Sequence, residues 1–172
     1  MALRPGRTTR RVERPWTRVS QRKPKKSYVV GVPYPKIHVF EMGSKIKQFD
    51  TSLWLVMEDS MQIRENSLES ARITSNKYLE KFVGLENYFM KVLTYPHQIL
   101  REHTLATGAG ADRFSMGMRL AFGRPKGRAI ITSKGKKIFL LKVDKSNLAH
   151  AKKALHRAIQ KLPGSCKVVV GN

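Results

Sequence analysis

The stretch Asn66-Ser-Leu-Glu-Ser-Ala-Arg-Ile-Thr-Ser-Asn-Lys-Tyr-Leu-Glu-Lys-Phe-Val-Gly84 has a clear helical pattern. Small and apolar side chains recur in it every three or four residues, at Leu68, Ala71, Ser75, Tyr78, Leu79, Phe82 and Val83. Side chains with this spacing share one face of an α-helix. Asn66 and Glu69 have the spacing of a capping box, and Gly84 is typical of a helix end. We therefore predict an amphipathic helix whose apolar face packs in a core.

Strand-like segments lie on both sides of this helix. Residues 36–41 (Lys-Ile-His-Val-Phe-Glu) alternate between apolar and polar side chains, and residues 53–57 are more continuously apolar. After the helix, residues 88–95 and 98–103 predict two further strands that are separated by Pro96. The scaffold thus combines strands with a helix, as in α+β domains.

A β-hairpin is predicted in the second half of the chain. Residues 129–132 and 137–143 are strand-like, and Ser133-Lys134-Gly135 between them offers a glycine for a positive φ angle.

A second helix is predicted from about Asn147, with Ser146 as its cap. Its inward positions are Leu148, Ala151, Ala154, Leu155, Ala158, Ile159 and Leu162, whereas its outer face carries Lys152, Lys153, Arg157 and Lys161 without an acid. Pro163-Gly164 ends the helix, and residues 167–170 form a last strand. The second helix therefore presents a positive face to solvent.

Charge is unevenly distributed along the chain. The 172 residues, 41% of them hydrophobic, suffice for about one domain with a real core, yet the formal net charge is +22. Residues 1–26 hold ten bases and one acid, residues 27–86 seven bases and eight acids, and residues 87–172 seventeen bases and three acids. We predict a polyanionic partner, a basic arm over 1–26 and a single domain over 27–172.

The arm is rich in arginine and interrupted by prolines, so it cannot form a regular helix or a core of its own. We expect a partner to order it, and we expect its bases to contact RNA phosphates: Arg4, Arg7, Arg10, Arg11, Arg14, Arg18, Arg22, Lys23, Lys25 and Lys26. Trp16, Tyr28 and Tyr34 lie within or just after it and offer stacking faces. A disordered solubilising tail or a localisation signal is the alternative interpretation.

A second basic segment runs from Arg113 to Arg128 and contains no acid. Arg113, Arg119, Arg124, Lys126 and Arg128 supply donors for phosphates, and the glycines among them permit close backbone approach. The preceding residues, Thr104 to Asp112, are small and nearly uncharged, which is typical of a mobile loop.

The sequence offers no catalytic or metal-binding constellation. The single cysteine, Cys166, excludes an internal disulfide and a cysteine zinc cluster, and we expect it to be a small buried residue. Gly108-Ala109-Gly110 lacks the Lys-Ser/Thr of a phosphate-binding loop and the third glycine of a dinucleotide fingerprint. His103 beside Glu102 is best interpreted as a polar residue that ends a strand. We expect no enzyme activity, no metal and no cofactor.

No stretch approaches the roughly 20 apolar residues of a membrane span, and the basic amino terminus is not followed by an apolar signal region. We therefore expect a soluble cytoplasmic protein without membrane contact.

Gly108-Ala-Gly-Ala-Asp-Arg113, followed by Gly117-Met-Arg-Leu-Ala-Phe-Gly-Arg-Pro-Lys-Gly127, resembles the signature of the family of large-subunit ribosomal protein sixteen. The similarity is greatest to the archaeal and eukaryotic branch, once called the QM family. The arginine-rich arm, Ile37-His-Val-Phe-Glu-Met-Gly43 and Asn66-Ser-Leu-Glu-Ser-Ala-Arg72 resemble it too, so nearly the whole chain is covered. Eukaryotic members continue past the last strand, whereas this chain stops at Asn172, which favours an archaeal member.

The resemblance implies a barrel-sandwich of mostly antiparallel strands flanked by two helices. It implies a structural protein of the large ribosomal subunit that acts in translation, is ribosome-bound in the cytoplasm, and contacts large-subunit rRNA near five-S rRNA, A-site and P-site tRNA, and neighbouring ribosomal proteins. The long flexible loop of the family corresponds to Thr104 to Ser115 and points toward the peptidyl-transferase region. Its tRNA-facing residues are Thr104, Leu105, Ala106, Thr107, Gly108, Ala109, Gly110, Ala111 and Asp112.

Two other classes of protein share the basic composition. An RNA-modifying enzyme would need a cofactor site or an acid/base pair, and the carboxylates lie instead in the amphipathic middle of the chain. A chromatin or general packaging protein would bind naked DNA as tightly as rRNA, and it would not explain the uncharged loop.

Overall fold

The computed structural model describes residues 3–12, 17, 22–23, 29–106 and 108–171. These residues form eight strands and two helices, which are, in chain order, β1 (Glu41–Gly43), β2 (Thr51–Met57), β3 (Met61–Arg64), α1 (Glu65–Phe82), β4 (Tyr88–Val92), β5 (Gln98–Glu102), β6 (Arg124–Thr132), β7 (Lys137–Val143), α2 (Leu148–Ile159) and β8 (Cys166–Gly171). The predicted α+β class with two amphipathic helices is confirmed.

The strands form two antiparallel sheets. One has five strands in the order β1-β4-β7-β2-β8, and the other has three in the order β3-β6-β5. In the part of the chain that the structure describes, both sheets are open and no barrel closes. The barrel component of the expected barrel-sandwich is therefore not confirmed.

The main core lies between the five-stranded sheet and the two helices, which pack against each other. Alternate residues of β2 and β4 point into it, and Phe139 on β7 is fully buried. The apolar faces of both helices are confirmed, with one exception: Phe82 is 49% exposed. Periodicity was sufficient to identify these faces because a buried helical stripe requires apolar side chains on one side only.

The predicted N-terminal caps of the two helices are wrong, whereas Gly84, with φ 86°, does follow the end of the first helix as predicted. Helix α1 begins at Glu65 with Arg64 at the N-cap, and no side chain caps it; the side-chain oxygen of Asn66 is buried without a hydrogen-bond partner. The buried carboxylate of Glu65 instead accepts the backbone N–H groups of Lys36, at 3.0 Å, and of Arg128, at 3.3 Å. A short 3₁₀ turn, Lys145–Asn147, precedes α2, so Ser146 is not its cap.

The predicted strand 36–41 is largely absent, because β1 starts only at Glu41. Ile37 is nevertheless buried in the core, and the carbonyl of Phe40 accepts a hydrogen bond from the amide of Val92 at 2.8 Å. Val39, two residues after Ile37, is 44% exposed, so the alternating pattern does not correspond to a strand with one buried face.

The predicted hairpin of 129–132 and 137–143 is wrong in its pairing. The turn exists, and Gly135 has φ 85°. However, β6 pairs with β3 and β5, whereas β7 pairs with β2 and β4. At the turn the amide of Gly135 donates to the carbonyl of Met57 at 2.8 Å, so the chain changes sheets there. Strand β3, which has only four residues, was not predicted from the sequence.

The first described residues, 3–12, lie against β3 and contain a 3₁₀ turn, Gly6–Thr9. Arg64 donates to the carbonyls of Arg4 and Pro5, at 2.6 and 2.8 Å, and to the hydroxyl of Thr9, at 2.9 Å. The amide of Gln62 donates to the carbonyl of Arg10 at 2.8 Å. The expectation that the arm needs a partner to become ordered is therefore wrong for these residues; Trp16 and Tyr28 lie outside the described ranges.

Candidate nucleic-acid interface

The basic segment that connects β5 to β6 is held at its carboxyl end by a close backbone contact at Gly123. Gly123 has φ +80°, and a Cβ there would lie 2.6 Å from the carbonyl carbon of Glu102. Its carbonyl accepts two hydrogen bonds from the Arg101 guanidinium, at 3.1 and 2.8 Å. That guanidinium also lies 4.3 Å from the centre of the Phe122 ring. Only glycine permits this approach, which fixes where the segment enters β6.

Four of the predicted phosphate ligands on this segment are exposed. Arg113 ends a 3₁₀ turn, Arg119 lies in a second one, and Arg124 and Lys126 are on the first residues of β6. The guanidinium of Arg124 lies 2.9 Å from the Met116 sulfur. Arg113, Arg124 and Lys126 line one cleft of about 290 Å³. All four side chains are therefore exposed to solvent, and three of them surround one cleft.

Arg128 has a different environment from the other four bases. Its side chain is buried, and its guanidinium donates to the carbonyl of Pro33 at 2.8 Å and to the hydroxyl of Tyr95 at 3.1 Å. These bonds use two of the five N–H donors of the guanidinium, so Arg128 has a structural role, and its contact with RNA stays a prediction. Sequence gave no sign of this, since Pro33 and Tyr95 are distant along the chain.

The arm lies beside the same segment. A cleft of roughly 570 Å³ separates the arm from β5 and β6, and it shares Glu102, His103 and Lys126 with the smaller cleft. The Arg4 guanidinium pairs with the Glu102 carboxylate at 2.7 Å across it. The arm bases that the structure describes are exposed, namely Arg4, Arg7, Arg10, Arg11, Arg22 and Lys23. Arg14, Arg18, Lys25 and Lys26 lie outside the described residues.

The predicted tRNA-facing loop starts directly after β5. Leu105 is 68% exposed, and the residues from Gly108 to Gly110 are exposed as well. A 3₁₀ turn, Ala111–Arg113, ends the loop at the first base of the basic segment. Thr107 lies outside the described residues. The loop and the cationic surface are therefore consecutive along the chain, with the uncharged residues farther from β6.

Arg64 and Arg101 hold parts of the candidate interface in place, and the sequence did not predict this role. Arg64 holds the arm, and Arg101 holds the entry to β6. Both donate hydrogen bonds to backbone carbonyls. Such bonds cannot be predicted from the sequence, because every residue has a backbone carbonyl.

Three other properties of the described residues concern metal ligands, the single cysteine and membrane spans. Among the described residues, no three His, Cys, Asp or Glu side chains lie together as metal ligands would. Burial, with Asp59 and Glu58 nearby, raises the pKa of the partly buried Cys166 thiol to about 11, so little thiolate is present at neutral pH. No helix in the described ranges is long and apolar enough to cross a membrane.

The domain is α+β, carries exposed arginines on glycine-containing turns and has an arginine-rich arm beside them. These features are typical of a protein that binds nucleic acid without catalysing a reaction. The family model described as ribosomal protein L16p/L10e matches residues 16–169. The chain belongs to this family, so the predicted family is confirmed. It is a structural ribosomal protein and not an enzyme, and it is bound to the ribosome in the cytoplasm.

Curated relatives agree with this membership. The chain is 46% identical over 170 residues to large ribosomal subunit protein uL16 of Archaeoglobus fulgidus, which covers 99% of this chain and 94% of the relative. It is 46% identical over 171 residues to the protein of the same name from Picrophilus torridus, covering 99% and 93%. For Methanococcus aeolicus the identity is 44% over 172 residues, covering 99% and 95%. These relatives are archaeal, as the predicted branch requires.

Proposed function

We propose that this protein, a constituent of the large ribosomal subunit, binds large-subunit rRNA through one surface that combines the basic segment with the arm. The observation that supports this most directly is the exposure of Arg113, Arg119, Arg124 and Lys126 on an acid-free segment whose entry to β6 is fixed at Gly123. The arm adds Arg4, which lines the larger cleft, together with the exposed bases Arg7, Arg10, Arg11, Arg22 and Lys23. Arg14, Arg18, Lys25 and Lys26 extend the proposal along the arm sequence.

Such a surface binds RNA by position and charge. Guanidinium groups pair with phosphate oxygens in a bidentate manner, and folded RNA presents phosphates whose spacing the protein must match. Glu102 is the acid that lines both clefts, and its pairing with Arg4 orients the arm toward the segment. rRNA binding therefore rests on a preformed arrangement in which few arginines must be reordered.

The uncharged loop has a separate role in this proposal. Thr104 to Asp112 contacts A-site and P-site tRNA near the peptidyl-transferase region, and the protein lies near five-S rRNA and neighbouring ribosomal proteins. A tip that contacts a moving tRNA should hold it less tightly than rRNA is held, and phosphate contacts are the main source of RNA affinity. The single charge between Glu102 and Arg113 is Asp112, which agrees with weak and transient contact.

The rRNA contact is tested by a triple variant, Arg113→Ala, Arg119→Ala and Lys126→Ala. Affinity for purified large-subunit rRNA is measured from about 50 to 200 mM salt, together with retention on large subunits through a high-salt cushion. Loss of three phosphate contacts should reduce the slope of log affinity against log salt by about 2–3. The matched control removes three exposed lysines elsewhere, Lys77→Ala, Lys134→Ala and Lys145→Ala. Equal slopes for the two triple variants would overturn the proposal.

The role of the loop is tested by deleting Thr107 to Ala111. Large subunits that carry the deletion should form in normal amounts and bind tRNA more weakly. A failure of the protein to enter subunits would contradict the separate roles of loop and segment.

A further inference from the structure

A second concave surface lies between α1, α2 and the edge strand β8. It has a volume of about 900 Å³, and its lining includes Phe82, Lys152, Lys153 and Arg157 but no acid. The outer face of α2 is the positive face that the sequence predicts, and the proposed rRNA surface does not use it. We therefore consider which ligand its chemistry would bind.

Stacked aromatic rings form the floor of this surface. The ring of Phe82 lies 4.5 Å from that of Tyr78 and is stacked on His150 at 5.8 Å, with 10° between the planes. The Tyr78 hydroxyl lies 3.3 Å from Nδ1 of His150, which holds the two helices together at this point. Phe82 is thus fixed in orientation although it is 49% exposed.

Cations surround this floor. The Arg157 guanidinium lies 4.4 Å over the Tyr78 ring, and the Lys81 ammonium lies 5.6 Å from the centre of the Phe82 ring. Lys152 and Lys153 are exposed on the next turn of α2 toward its start. An oriented and half-exposed aromatic ring surrounded by bases differs from an ordinary solvated helix face, in which aromatic side chains are rare.

We infer that this surface binds a single-stranded RNA segment, with an unpaired base stacked on Phe82 and the adjoining phosphates paired with Lys152 and Lys153. The inference rests on the proposed function, because it assigns a second contact with the same polyanion. Unpaired bases stack on aromatic and guanidinium planes, whereas paired bases in a helix offer no free face. The basic side chains and the absence of an acid from the lining would attract any polyanion, so the exposed ring is the feature that selects an unpaired base.

The test uses full-length protein and a single-stranded 12-nucleotide oligouridylate that carries 5-iodouracil. Ultraviolet light joins iodouracil to an aromatic ring stacked on it, and mass spectrometry locates the joined peptide. We expect cross-links at Phe82, and we expect Phe82→Leu to remove them while it keeps an apolar side chain. Phe114→Leu is the matched control, because Phe114 is also an exposed aromatic residue, in the basic segment.

A second measurement follows affinity. The double variant Lys152→Ala and Lys153→Ala and the variant Phe82→Leu should each weaken binding of the oligouridylate on the order of tenfold. A random RNA duplex should not compete for the Phe82 cross-link. Cross-links that fall only on other segments, or that a duplex displaces as well as single strands do, would overturn the inference.

Failure of this inference is distinguishable from failure of the proposed function. If the Arg113, Arg119 and Lys126 triple variant reduces the salt slope while the α2 variants leave oligouridylate binding unchanged, the rRNA surface stands and the second contact is wrong. If the triple variant has no effect on rRNA binding, the proposed function fails even where cross-links at Phe82 are found.

Discussion

The two sheets of this protein are stabilised in different ways. In the five-stranded sheet the buried side chains are almost entirely apolar. Among the described residues of its strands, Thr51 is the one buried polar side chain. Buried polar side chains accumulate instead around the three-stranded sheet, at Gln62, Glu65, Gln98, Arg128 and Thr132. The first sheet is stabilised mainly by apolar burial. Around the second, Gln62, Glu65, Arg128 and Thr132 also make hydrogen bonds with defined partners. The difference indicates that hydrogen bonds of buried polar side chains position the strands next to the proposed interface, whereas apolar packing stabilises the rest of the domain.

The largest effect is expected in the apolar sheet. Phe139→Ala should lower the free energy of unfolding by about 3–5 kcal/mol, because it leaves a cavity in a fully buried site. Chemical denaturation checks this. Phe114→Ala, at a side chain that is 66% exposed, should change stability by less than about 0.5 kcal/mol. Similar losses for both variants would contradict the division between scaffold and surface.

The next effect concerns the polar sheet. Glu65→Ala should cost about 1–3 kcal/mol, since it leaves the buried backbone N–H groups of Lys36 and Arg128 without their acceptor. Glu65→Gln retains one side-chain oxygen and should lose less. The measurement is again the denaturation midpoint. If the two variants are equally stable, the carboxylate does not organise this region.

A smaller effect is expected where the arm meets β3. Arg64→Ala removes three hydrogen bonds to residues of the arm, but the freed arm regains chain entropy, so the net loss should be about 1 kcal/mol. Trypsin should then cut after Arg7, Arg10 and Arg11 sooner than in the parent protein. Arg113→Ala, at an exposed base, serves as the control. Unchanged cleavage would show that Arg64 does not hold the arm.

The smallest effect lies at the edge of the apolar sheet. Hydrogen bonds from Lys45 and then Lys91 lower the pKa of the Glu41 carboxyl from 4.5 to about 2. Because the folded-state pKa is depressed, the stabilisation is complete above about pH 4.5 and is lost as the pH falls toward 2. Both lysines are exposed, so the contribution is small and weakens with salt. Glu41→Gln should lose less stability than the parent protein between pH 5 and 2.5; an identical pH dependence would contradict this ion pair.

The elements that sequence predicted well are those whose pattern is local. The buried faces of α1 and α2 were correct because a helix repeats its environment every three or four residues, and β2 and β8 were found as apolar runs. The pairing of β6 with β7 was wrong because a good turn residue at Gly135 does not determine which strand lies beside each arm of the turn. The capping-box prediction failed because α1 begins at Glu65, which places Asn66 inside the helix, and because the Glu69 carboxylate pairs with Arg72.

The candidate surface was predicted in the same partial way. Charge and glycine content identified the basic segment, since both are properties of composition. They could not separate exposed Arg124 from buried Arg128, which lie four residues apart on one strand with different surroundings. Arg64 and Arg101 acquire their roles from contacts with residues remote in sequence, and Phe82 is stacked on His150 of the other helix.

The amino-acid sequence by itself determined the polyanion-binding class, the family, the two helices and the segment that carries the accessible charge. Each of these depends on residue identity or on short-range period. Only the tertiary structure decided which arginines face solvent, where the arm lies and how the strands are shared between two sheets. The physical reason is that burial and hydrogen-bond pairing are set by neighbours in space, and those neighbours lie far apart along the chain.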